Sequence, residues 1–136
     1  MIKSKQLKVG NETEQIIADY FQSLGFWVYI LPKKIGGQPF DIIASKDKET
    51  WFVDAKHLEQ NKASFSFERI EPNQKTAMKI ATERANMANV GFFIYWDRNP
   101  DRLYYMPYRM YKGLEKAGNK SVNMGELICK PLSEVK

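Results

Sequence analysis

Two stretches decide the fold: Phe40-Asp41-Ile42-Ile43-Ala44-Ser45 and Trp51-Phe52-Val53-Asp54-Ala55-Lys56-His57-Leu58. Both are rich in β-branched and aromatic residues, and the polar segment Lys46-Asp47-Lys48-Glu49-Thr50 separates them, so they read as a strand pair joined by a hairpin loop. Side chains alternate along a strand, so Asp54 and Lys56 share a face, about 7 Å apart. Val53 and Ala55 point the other way. Asp41 heads the first strand, thirteen residues before Asp54. A short hairpin can bring the head of one strand beside the end of the other, so that two carboxylates and an ammonium converge.

Outward from this pair, periodicity supplies the other elements. A helix is predicted from about Asn11, its cap, to Leu24, with Glu12 and Glu14 in its first turn and Gly25 ending it. Ile16, Ile17, Tyr20, Phe21 and Leu24 form its apolar stripe. Phe26 to Leu31 reads as a buried strand closed by Pro32. Lys33-Lys34-Ile35-Gly36-Gly37-Gln38-Pro39 reads as a basic loop bordering Asp41. A second helix starts near Pro72 and runs to about Asn86, with Ala77, Met78, Ala81 and Ala85 as its apolar stripe. Val90 to Trp96 and Leu103 to Met106 are further strands around an Asp97 to Asp101 turn, and a short helix follows near Arg109 to Lys116. The order α-β-β-β-α-β-β predicts an α/β fold with a mixed central sheet of about five strands flanked by helices. Residues 1–9 read as a basic arm, and residues 112–136 carry little pattern.

The chain has 136 residues, which suits one domain, and 43% hydrophobic residues, enough for a real core. Its net charge of +5 favours a polyanionic partner, nucleic acid first. One cysteine, Cys129, excludes a disulfide scaffold and a cysteine-based zinc site, and one histidine, His57, argues against a histidine-rich centre or a Ser-His-Asp triad. No apolar run approaches the roughly 18 residues of a membrane span, and the N-terminus does not read as a signal peptide. A cytoplasmic protein without a membrane partner is expected. Acid–base or metal chemistry must therefore draw on Asp, Glu and Lys.

Taken singly, each such residue has an ordinary explanation. Glu14 suits the helix dipole, Asp41 suits a strand start, and Asp54 with Lys56 suits a solvated ion pair. Their order and spacing together resemble the PD-(D/E)xK nuclease superfamily, and more narrowly Holliday junction resolvases of the archaeal and Gram-positive or phage type. The resemblance spans about residues 8 to 107. It rests on Gly10 four residues before Glu14, on Leu24-Gly25-Phe26, on Pro39-Phe40-Asp41, on Asp54-Ala55-Lys56 and on Phe67-x-x-Ile70-x-x-Asn73-Gln74. The chain departs from the family pattern at three points. Phe40 separates the proline from the aspartate, Asp54 stands where glutamate is commoner, and Asn73 replaces a histidine.

The resemblance implies a restriction-endonuclease-like fold and a metal-dependent, structure-selective endonuclease that makes paired nicks in branched DNA, a four-way junction above all. Asp41, Asp54, the carbonyl of Ala55 and Glu14 would hold Mg²⁺, with Mn²⁺ as a substitute. Lys56 would orient or deprotonate the attacking water, and Gln74 would support it. Related resolvases place a serine or a basic residue in the loop before the motif aspartate. The loop here has no serine but offers Lys33, Lys34 and the Gly36-Gly37 backbone to DNA. Lys3, Lys5, Lys8, Lys62, Arg69, Lys75 and Lys79 are further candidate phosphate contacts. Paired cutting calls for a two-fold homodimer; Phe65, Phe67, Phe92, Phe93, Trp96, Tyr104 and Tyr105 offer apolar surface for it, though core burial is the simpler fate for most of them, and Ala63 to Phe67 offers an edge or intersubunit strand. Two other readings stay open: a restriction-like or repair nuclease on the same fold, and a non-catalytic nucleic-acid-binding module.

Overall fold

The computed structural model describes residues 2–33 and 37–132, with the backbone alone for 2–10. Helix α1, Ile2–Ser23, is followed by strands β1, Trp27–Ile30, β2, Ile42–Lys46, and β3, Glu49–Leu58. Next come β4, Ser64–Ser66, and α2, Pro72–Lys79, which widens into a π turn over Ile80–Arg84. Strands β5, Asn89–Trp96, and β6, Arg102–Pro107, precede α3, Tyr108–Lys116. The chain ends with β7, Ser121–Asn123, and β8, Ile128–Pro131.

Six strands form one mixed sheet in the order β1-β2-β3-β5-β6-β8. The β3–β5 pair is parallel and the other neighbours are antiparallel. The parallel step needs a crossover, and the segment carrying β4 and α2 provides it. Ile17, Ala18 and Phe21 of α1 bury against Ile42, Ala44, Val53, Phe93 and Tyr105 on one face. On the other face, Met78 of α2 and Tyr108 and Tyr111 of α3 pack with Phe65, Phe92, Ile94 and Met106. The α/β class and the mixed, helix-flanked sheet match the expectation from the sequence.

Gly25 ends α1 as predicted. Its φ is +92°, Gly25 N–H bonds to Gln22 O and Phe26 N–H reaches back to Phe21 O, the paired pattern of a Schellman motif. The Phe26 ring then packs edge-on to Phe21 at 5.3 Å between centroids, the hydrophobic contact that completes such a cap.

Several expectations are corrected. Asn11 is no cap, because α1 already runs from Ile2. Lys3, Gln6, Leu7 and Lys8 are good helix formers and carry the helix back through the supposed arm, while one interior glycine, Gly10, costs only about 1 kcal/mol. The hairpin loop is shorter than five residues: Lys46 pairs with Glu49, leaving Asp47 and Lys48 as the turn, and Asp47 takes a φ of 53°. The Phe26 to Leu31 strand is an edge and not a buried strand. Val28 packs inward, but Trp27 is 62% and Tyr29 47% exposed, their rings parallel to within 3°. The weakly patterned end supplies β7 and β8, and β8 makes the sheet six strands instead of about five. Segments of three or four residues are too short to show alternation. The seven aromatics with a possible interface role take the simpler course and are all buried within the monomer, and β4 pairs with β7 of the same chain.

Candidate functional site

The site lies where β2 begins, because the ladder changes register there. Ile42 pairs with Val53, yet Asp41 N–H also donates to Val53 O at 2.9 Å. Two residues thus face one, the count of a β-bulge, a device that re-aims a side chain. The Asp41 carboxylate continues the ladder in place of backbone: its Oδ2 accepts from Ala55 N–H at 2.8 Å. Gln38 Nε2 donates to its Oδ1, also at 2.8 Å.

Asp54 is fully buried on the α2 side of β3. Gln74 Nε2 donates to Asp54 Oδ1 at 2.8 Å, and Gln74 Oε1 accepts from Lys56 Nζ at 3.1 Å and from Glu71 N–H at 3.1 Å. The last contact belongs to the N-terminal cap of α2, whose first residue is Pro72. One side chain therefore starts the helix and ties the aspartate to the lysine. Lys56 Nζ also donates to Arg69 O at 3.0 Å. Asp54 Oδ2 stands 3.2 Å from Lys56 Nζ as a charge contact, but it is buried without a hydrogen-bond partner.

Glu14 approaches from α1, on the other face, and is only 6% exposed. Its Oε2 accepts from Lys33 Nζ, which also lies 3.6 Å from Asp41 Oδ1. The structure thus brings Glu14, Asp41, Asp54, Ala55, Lys56 and Gln74 together in one row through the end of the sheet. It adds Lys33 and Gln38. A polar loop gives no periodicity from which their contacts could be read.

Burial is the first cause acting on each carboxyl, and their partners then separate them. Glu14 is raised by burial, with Lys33 pulling it down and Asp41 pushing it up. For Asp41 burial is outweighed by the neighbouring Asp54 carboxyl, by Ala55 N–H and by Lys33 and Gln38, so it falls below the usual range. Asp54 is driven well above that range by complete burial and by Asp41, against the pull of Lys56. The two carboxyls act on each other as a pair and are displaced in opposite directions, Asp54 up and Asp41 down. Lys33 is raised: burial works against its charge, but Glu14 and Asp41 favour it more.

Two lysines, Lys33 and Lys56, stand among the three carboxylates. Among the described residues, no three His, Cys, Asp or Glu side chains are arranged to hold a metal ion as they stand. The donor chemistry nevertheless fits a hard cation, being oxygen throughout, and the unpartnered Asp54 Oδ2 lacks what a cation or proton supplies.

The other candidates divide. Gly37, at φ +90°, lies against Asn73, whose Nδ2 donates to Gln38 O at 3.3 Å; Asn73 thereby braces the loop before Asp41. Lys34 and Gly36 lie outside the described residues, as do the side chains of Lys3, Lys5 and Lys8 on the first turns of α1. Arg69 lends its carbonyl to Lys56, while its guanidinium sits over the Phe65 ring at 5.2 Å. Lys75 leans towards Glu115 on α3 at 3.6 Å, and Lys79 is exposed on α2. Lys62 is exposed beyond the far end of β3, where its carbonyl accepts from the Trp96 indole. His57 pairs with Asp97 at 2.8 Å, apart from the carboxylates. No helix is long and apolar enough to cross a membrane among the described residues.

No family model matches this chain, and no curated protein matches it in sequence. Among solved structures it is similar to Hjc of Archaeoglobus fulgidus, a Holliday junction resolvase from an archaeal hyperthermophile. The two share 14% sequence identity, the match covers 74% of each chain, and the TM-score is 0.53. At that identity the likeness establishes a shared fold, a mixed sheet flanked by helices on which the row from Glu14 to Gln74 is built.

Proposed function

We propose that this chain is a metal-dependent, structure-selective DNA endonuclease that resolves four-way junctions by paired nicks. The observation that carries the reading is the convergence of Asp41, Asp54 and Lys56 at the end of one hairpin, with Glu14 and Gln74 delivered by two helices. The fold likeness to a Holliday junction resolvase supports it and is the reason for proposing branched DNA ahead of linear duplex as the substrate.

Asp41, Asp54 and the Ala55 carbonyl, with Glu14 behind them, are the residues that would hold Mg²⁺ or Mn²⁺. When bound, such an ion offsets phosphate charge and makes water more acidic. Asp41 has its Oδ2 fixed by Ala55 N–H, and its Oδ1 is oriented by Gln38 and lies 3.6 Å from Lys33 Nζ. Gln74 likewise fixes Asp54 through Oδ1 and leaves Oδ2 open. Lys56 is only 11% exposed and its ammonium is aimed by Arg69 O and Gln74 Oε1, so it meets a phosphate without first being ordered. There it steadies the charge that develops on the phosphoryl oxygens as water attacks phosphorus and the bond to the leaving oxygen breaks. Two such sites in a two-fold dimer would cut strands of like polarity symmetrically.

The test is cleavage of a synthetic four-way junction beside a linear duplex, with Mg²⁺ or with EDTA. Paired symmetric nicks in the junction alone, abolished by EDTA and by Asp54→Asn while junction binding persists, are expected. Equal cutting of duplex would replace the junction by another DNA substrate, and binding without metal-dependent cutting would leave a nucleic-acid-binding module. Normal cleavage by Asp54→Asn would overturn the site itself.

A further inference from the structure

We propose that Lys33 is a built-in counter-ion occupying the cation locus of this site, so that a divalent metal binds only as the Lys33 ammonium leaves. The inference rests on the metal-dependent reading above and deepens it. Three carboxylates, Glu14, Asp41 and Asp54, are 6%, 5% and 0% exposed, a cluster that could not persist ionised without positive charge among them. Two lysines provide that charge, and they are held differently. Lys56 is nearly enclosed and bonded to Arg69 O and Gln74 Oε1 as well as facing Asp54, so it is part of the scaffold. Lys33 has carboxylate partners, Glu14 Oε2 and Asp41 Oδ1, and its side chain is 47% exposed. An ion pair with one half-exposed member is weakly held, and its ammonium stands between two of the oxygens a metal would need.

This placement also accounts for the lack, among the described residues, of a ready three-ligand metal arrangement, although the oxygen donors are present. The cluster is held in a lysine-bridged form. A site closed nine-tenths of the time binds about tenfold more weakly than the same site left open. The freed ammonium, on the chain leading into Asp41, is then available to the phosphates of a bound strand.

The experiment is Mn²⁺ titration by calorimetry and by electron paramagnetic resonance, without DNA, on the full chain and on Lys33→Met, which keeps most of the apolar stem. Lys33→Gln serves as a second variant should the first fold poorly, with circular dichroism as the check. The expected result is Mn²⁺ binding about tenfold tighter in the variant, with a larger rise in melting temperature on adding metal. Unchanged or weaker Mn²⁺ binding in both folded variants, beside measurable binding by the unaltered chain, overturns the inference and leaves the nuclease reading standing. Weaker junction binding with unchanged Mn²⁺ affinity also overturns it, by making Lys33 a phosphate contact only. No Mn²⁺ binding by any of the proteins overturns the metal-dependent reading itself.

Discussion

Asp54 costs stability, and the size of that cost depends on pH. Its carboxyl, driven up by complete burial and by Asp41, binds a proton more tightly in the folded chain than in the unfolded one. In metal-free solution, raising the pH from the ordinary carboxyl range at 3.8 through the elevated folded value therefore removes stability. Asp41 behaves oppositely: its folded carboxyl lies below the ordinary range, so its contribution is present at neutral pH and lost as the pH falls. Asp54→Asn keeps the shape of the side chain and removes the charge. In EDTA it is expected to melt higher than the unaltered chain at pH 8, by an amount equivalent to about 1–2 kcal/mol, the usual gain when a strained functional group is replaced. The difference should shrink towards pH 4. Thermal melts across that range check it, and a variant no more stable at pH 8 than at pH 4 would contradict the burial account of Asp54.

Among the elements, β5 is a central strand that carries the parallel step from β3 and the antiparallel step to β6. At Gly91 a Cβ would lie 2.5 Å from Met106 O, 2.8 Å from the Tyr105 ring and 2.9 Å from Pro107 Cα, two of them backbone atoms of β6 that cannot move aside cheaply. Gly91→Ala is expected to destabilise by about 1–3 kcal/mol, read from urea melts, and an unchanged midpoint would count against this packing. The same strand shows what a sequence can and cannot reveal. Elements whose pattern is local were legible: the Gly25 stop, the Asp54-Ala55-Lys56 strand, the Pro72 start and the Val90 to Trp96 run. Elements defined by their neighbours were not. Trp27 and Tyr29 look like core until β1 is known to be an edge, and β8 is too short to announce itself beside β6. The site divides in the same way. Asp41, Asp54, Lys56 and Gln74 lie on regular elements or at their ends, where spacing fixes direction. Lys33 and Gln38 lie in a loop, and only its course brings them to Glu14 and Asp41.

At the scale of the molecule, the seven aromatics once available for an interface are buried in two cores, one on each face of the sheet, while Trp27 and Tyr29 stay exposed on β1, and the proposed nucleic-acid binding is tested first through charge. The net charge of +5 coexists with an acidic row, so the basic excess is carried by the rest of the chain. A polyanion held by that excess releases counter-ions, and its affinity falls as a power of the salt concentration. With about five phosphate contacts, the loss between 50 and 200 mM salt is about 500-fold. Asp54→Asn suits this measurement, since it is expected to bind the junction without cutting it. Fluorescence anisotropy with a labelled four-way junction over that salt range should give a slope of about −4 to −5 on logarithmic axes. The junction and a duplex of equal length should share most of that slope, because phosphate contacts position without selecting, and should differ in intercept, where recognition of the branch resides. A slope near zero would remove the electrostatic basis for a nucleic-acid partner, and equal intercepts would place selectivity in the cutting step instead of in binding.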